Sequence, residues 1–184
     1  MAFFLGACAG GAPPPDWQLG ARGALTQYQR YYLGGDTQLA DKEFASAKAE
    51  IARTGRLDLL ARAELLRCAI RTASLEFDDC AGFEGLRADA GAEELAYAEY
   101  LAGRAARAPT EEPLSRLVAA ALRMKSGMLT PPDISAAIDT ASSQGWRRPL
   151  LAWLTAQARR AEESGDQAAL VHIRRRIEFV TTGK

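Results

Sequence analysis

Apolar residues recur along this chain at spacings of three and four, and no segment alternates in twos over the length of a strand. Across residues 17–33, Leu25, Tyr28, Tyr31 and Tyr32 fall at helical spacing with no proline among them, which predicts a first helix. Gly34-Gly35-Asp36 ends it, because glycine supplies the left-handed turn and Asp36 can cap the helix that follows. Residues 36–53 place Leu39, Ala40, Phe44, Ala47 and Ile51 on one face, and Thr54-Gly55 stops that helix. The longest helical signal spans residues 56–75, with Leu59, Leu60, Leu66, Ala69, Ile70 and Ala73.

Past Asp78-Asp79 comes a short piece, residues 80–86, and then a helix over 92–106 carrying Leu95, Tyr97, Ala98 and Leu101. Thr110 is the expected cap of the next helix, with Glu111 and Glu112 favourably placed in its first turn and Leu114, Leu117, Val118, Ala121 and Leu122 inward. Thr130 before Pro131-Pro132 opens another, with Ile134, Ile138 and Ala141 inward and Gly145 at its end. Residues 147–163 carry Leu150, Leu151, Trp153 and Leu154, and Gly165-Asp166 starts a last helix with Leu170, Ile173, Ile177 and Val180. Every connection is short. The pattern predicts an all-α fold of seven to eight helices in antiparallel hairpins.

Composition agrees. Ala, Leu, Arg and Glu dominate, Asn is absent, and β-branched and aromatic residues are few, which favours helix. At 184 residues the chain suffices for one domain with a real core. Its formal net charge is zero, which argues against attraction of the whole protein to nucleic acid. The 19 Arg against 4 Lys, with abundant Ala and Gly, fit GC-rich coding.

Near the start stand Leu5-Gly6-Ala7-Cys8, followed by Ala-Gly-Gly-Ala-Pro-Pro-Pro, a run that forms neither helix nor strand and makes a flexible tether. The four residues resemble the lipobox of a bacterial lipoprotein, whose cysteine is acylated and becomes the mature N-terminus. Residues 1–7 hold no Lys or Arg and are shorter than a full signal peptide, so they read as its remnant. The resemblance implies lipidation at Cys8, and Ala9 after it is similar to precursors sorted to the Gram-negative outer membrane. Residues 1–16 are then signal remnant, anchor and tether, and 17–184 a single helical domain facing the periplasm.

Setting Cys8 aside leaves Cys68 and Cys80, an even pair suited to an oxidising compartment. From Cys68 to Leu75 a helix rises about 10 Å, and the five residues after it can return roughly 15 Å. The two Cα atoms can therefore reach disulfide distance. Two buried free thiols are the alternative.

Residues 21–52 resemble a tetratricopeptide repeat. Tyr32, the Gly35-Asp36 turn, Ala40, Phe44 and Ala47 fall where that family puts an aromatic, a turn and small residues at helix crossings. The family's early Trp, its Leu-Gly pair and its final proline are missing, with Ala24, Gln27, Tyr28 and Ala52 in those places. The resemblance implies stacked helical hairpins, and a compact irregular bundle is the alternative.

Little chemistry is in view. His172 is the single histidine, and no Gly-x-Ser-x-Gly, Walker A, Gly-x-Gly-x-x-Gly or His-Glu-x-x-His occurs. The pairs Asp78-Asp79, Glu93-Glu94, Glu111-Glu112 and Glu162-Glu163 are adjacent residues, which point about 100° apart on a helix and do not form a dyad. No enzyme, cofactor or metal site is expected. Charge is uneven: residues 76–112 carry ten acidic against three basic, and 146–184 eight basic against four acidic. The expected function is non-covalent binding of a protein or peptide by a concave helical surface. Trp17, Tyr28, Tyr31 and Tyr32 are one candidate contact surface; their alternative is packing inside the first hairpin. Arg174, Arg175 and Arg176 on a basic C-terminal hairpin are another, suited to membrane or cell wall in an envelope assembly role. The expected partners are an unidentified protein or peptide and, through the anchor at Cys8, the membrane; nucleic acid and metal are not expected.

Overall fold

The computed structural model describes residues 13–183. Helix α1 (Asp16–Gly34) turns back into α2 (Thr37–Ala52) through Gly35, whose left-handed φ of 99° suits a residue without Cβ. The Asp36 carboxylate accepts the Leu39 N–H at 3.0 Å, so the expected cap is made. Ala40 and Ala47 are fully buried and let α2 lie close against its neighbours, while Phe44 packs its ring 5.0 Å from that of Tyr28. Leu39 departs from the expected inward face: it sits in the first turn of α2 and is 39% exposed.

The centre of the fold is α3 (Leu57–Ala73), which packs against α1, α2, α5 and α6. Its buried face is built largely of small residues, Ala61, Ala63, Ala69 and Ala73, which allow helices to approach on several sides. A loop over 74–80 leads to the one-turn α4 (Ala81–Glu84), a 3-10 turn (Arg87–Asp89) and α5 (Ala92–Leu101).

The sequence pattern runs α5 on to residue 106, but Gly103 ends it. With Gly103 at a φ of 78°, its N–H bonds Tyr100 O and the Arg104 N–H bonds Glu99 O, the paired bonds of a Schellman terminus. Residues 102–112 follow without helix. The next start is also corrected. Helix α6 (Pro113–Lys125) is capped by Glu112, not Thr110; the Glu112 carboxylate accepts the Ser115 N–H. Pro113 has no N–H to satisfy and a preset φ, so it takes the first helical position and fixes the cap one residue before itself.

Helix α7 (Pro131–Ser143) begins as expected, with Thr130 and Asp133 forming a reciprocal capping box. Then come α8 (Arg147–Glu163) and α9 (Gln167–Thr182), the latter capped by Asp166. Consecutive pairs α1–α2, α6–α7 and α8–α9 pack together as hairpins, and α8 reaches back to α1. The fold is all-α: eight helices of ten residues or more, plus α4, among the described residues. None of them is long and apolar enough to cross a membrane.

Candidate functional site

Cys8 lies outside the described residues. Cys68 and Cys80 form a disulfide, their Cα atoms 5.1 Å apart and both residues buried. It closes the loop over 74–80, and that loop is where the fold is tied together. Its Glu76 accepts the Tyr32 hydroxyl of α1 at 2.6 Å and pairs with Arg148 of α8 at 3.4 Å and Arg71 of α3 at 3.7 Å. Asp78 pairs with Arg71 at 3.2 Å and accepts the Cys80 N–H, and Asp79 pairs with Lys125 of α6. Leu75, Asp79 and Cys80 all have left-handed φ values near 50–60°, a conformation that L side chains adopt only when their surroundings hold them there.

Arg148 joins α8 to the first hairpin. It donates to Tyr32 O at 2.7 Å and to the Thr37 hydroxyl at 2.5 Å, and its guanidinium stacks 4.2 Å from the Tyr32 ring centre. Nothing in its local sequence marks this role.

The four aromatic residues expected to share a contact surface do not. Tyr28 and Tyr32 are buried at 1% and 5% exposure, one turn apart on the core side of α1. Burial raises the pKa of both phenols, and for Tyr32 the bond to Glu76 adds to it. Tyr31 is half-buried beside Arg30, and Trp17 alone borders a groove. On α9, Arg174 faces Glu162, Arg175 is exposed and Arg176 half-buried; His172 is exposed.

The uneven charge of the sequence is largely absorbed within the fold. In the acidic stretch, Glu84 pairs with Arg87, Glu94 with Arg62, Glu99 with Arg87 and Arg104, and Glu111 with Arg116. Among the basic residues, Arg147 bonds the Val180 and Thr181 carbonyls at the end of α9, and Arg159 pairs with Glu163. Apart from Glu93, the adjacent carboxylates therefore serve as caps and ion-pair partners.

Glu99 is the strongest electrostatic case. The Arg104 hydrogen bond, then Arg87, holds its carboxyl down at about 2. A lowered folded-state value favours folding above the ordinary carboxylate range, and that contribution disappears as pH falls toward about 2. Carboxyl carbon titration by NMR should find Glu99 there, and Arg104→Ala should bring it back toward the ordinary range. A midpoint unmoved by that substitution would show that Arg104 is not the cause.

Gly82 marks a close approach. A Cβ built on it would run into the Glu64 carboxylate and the Arg67 guanidinium, which pair at 2.8 Å, and Glu64 is only 8% exposed. Gly82→Ala is expected to destabilise by about 1–2 kcal/mol through displacement of this pair. Urea unfolding of wild type, Gly82→Ala and Gly85→Ala checks it, since a Cβ at Gly85 meets nothing.

Two grooves flank α3. One, of about 540 Å³, lies between α1 and α3 with Ile51 of α2, and its apolar lining includes Trp17, Leu25, Leu59 and Leu66. The other, about 370 Å³, lies between α3, α5 and α6 and is lined by Leu65, Tyr97, Tyr100, Leu114 and Val118. In the second, Arg107 stacks 5.3 Å from the Tyr97 ring centre, and burial pushes the Tyr97 phenol up to about 12. Arg62 and Leu66 line both, and the Arg62–Glu94 ion pair makes the ridge between them. Each groove combines an apolar lining with a few polar groups, the make-up of a site for an apolar segment. Among the described residues no cluster of His, Cys, Asp and Glu is arranged to hold a metal ion. No family model matches the chain, and it matches neither a curated protein nor a solved structure.

Proposed function

We propose that this chain is a lipid-anchored periplasmic scaffold that binds a protein or peptide partner non-covalently in the grooves beside α3. The observation that carries the reading is the pair of apolar grooves sharing Arg62 and Leu66, with aromatic residues at Trp17, Tyr97 and Tyr100. Anchorage is supported by Leu5-Gly6-Ala7-Cys8 and the proline-rich run behind it, and the oxidising compartment by the disulfide. A repeat-like first hairpin is supported by buried Ala40 and Ala47 and by Phe44 between Tyr28 and Arg67. The role is binding, without catalysis.

A photo-crosslinking residue at Leu66, with a control at exposed Ala45, tests the reading in cells. Bands specific to the Leu66 position support it, and equal labelling from both positions removes it. Palmitate labelling lost on Cys8→Ser tests the anchor separately.

A second reading has its own observation. On the outer side of α9, Val171 and Phe179 are 68% and 62% exposed, with Arg175 between them at helical spacing. Exposed apolar residues beside an exposed arginine suit an anionic membrane surface and an envelope assembly role. Co-sedimentation with anionic vesicles, lost on Val171→Ser with Phe179→Ser, would favour it.

A further inference from the structure

The groove between α1 and α3 carries more information than its apolar lining. Both walls are helices, and the described residues include no strand, so no free main-chain edge runs along it. Past the first turn of each wall, main-chain N–H and C=O groups are consumed within α1 and α3. A polypeptide that buries itself there must satisfy its own backbone internally, which only a helix does locally.

The dimensions fit. On α1 the lining residues run from Trp17 through Ala21 and Leu25 to Gln29, a rise of about 18 Å, which matches roughly three helical turns. On α3 they are Leu59, Arg62, Ala63 and Leu66, a shorter wall with a rise of about 10 Å. Each wall has a small residue, Ala21 and Ala63, both buried at the floor of the groove.

The charge is one-sided. The charged lining residues are Arg22 and Arg62, and among the described residues no carboxylate lines this groove. Arg62 is already neutralised by Glu94, whereas Arg22 takes part in no ion pair among the described residues. An occupant with acidic residues at the edge of its apolar stripe supplies the missing partner.

We propose that the α1–α3 groove receives an amphipathic helix of about three turns whose apolar stripe is edged by carboxylates. This rests on the reading of the grooves as peptide sites and names the kind of peptide.

The test uses the folded chain and three fluorescein-labelled peptides of about 14 residues. One has leucines at helical spacing flanked by glutamates. The second has lysines in place of the glutamates. The third is the acidic peptide interrupted by a central proline. Fluorescence anisotropy at low salt should give roughly tenfold tighter binding of the acidic helix than of the basic one, and weak binding of the interrupted peptide. Arg22→Glu should reverse the preference, while Arg30→Glu, the same change of net charge outside the groove, should leave it intact.

Equal affinity for the acidic and basic helices overturns the charge assignment and leaves the peptide-binding reading standing. Equal binding of the interrupted peptide overturns the helix. An Arg30→Glu effect as large as that of Arg22→Glu shows attraction to the whole surface and overturns the site. If none of the peptides binds, the proposal falls, and cross-linking from Leu66 decides the peptide-binding reading separately.

Discussion

Trp153→Ala is expected to destabilise the protein by about 4 kcal/mol, toward the upper end of what one truncation in a protein core costs. The indole is fully buried on α8, and its N–H donates to the Ala73 carbonyl at 3.2 Å, at the last residue of α3. Truncation leaves a cavity between α8 and the central helix and strips a buried carbonyl of its donor. Trp153→Phe keeps most of the packing and loses the hydrogen bond, so about 1–2 kcal/mol is expected. Urea unfolding of the three proteins separates the two terms. If Trp153→Phe cost as much as Trp153→Ala, the hydrogen bond rather than the packing would dominate.

Replacing Cys68 and Cys80 together by serine should cost about 3 kcal/mol, the chain-entropy value for a loop of this size. The structural consequence extends beyond entropy. Three left-handed residues in the loop are free to relax once the link is gone, and Glu76 and Asp78 are then less firmly placed for Arg71, Arg148 and Tyr32. Amide exchange should therefore rise first across residues 74–80 and then at the start of α8, with α9 least affected. Unchanged exchange at the start of α8 in the double variant would show that Arg148 holds its place without the loop.

The helices were legible in the sequence because what makes them is local. Asp36, Thr130 and Asp166 cap through bonds to residues three positions on, so their role can be read from spacing alone. Thr110 misled because two local signals competed, and the backbone constraint of Pro113 outweighed the cap preference of a threonine. The disulfide was legible because a short return loop leaves few distances open. The candidate site was not. An aromatic residue at helical spacing looks the same whether it fills a core or borders a groove, and Tyr28 and Trp17 took opposite fates on one helix. Arg62 and Leu66 share one face of α3 by their spacing, but Arg22 joins them only when α3 packs beside α1, which no spacing within one helix encodes.

Arg148 has a bearing on the order in which the molecule can be finished. Its bond to Tyr32 spans 116 residues. The first hairpin leaves the ribosome long before this partner exists, and at about 5–20 residues per second the wait is on the order of ten seconds. During that interval the end of α1, the start of α2 and the buried side of Tyr32 have no α8 to cover them. Nascent chains arrested before residue 148 should therefore be open to proteases and chaperones at the first hairpin, and chains arrested beyond α8 should be closed there. A hairpin made well before α8 is thus sealed only once α8 has followed it.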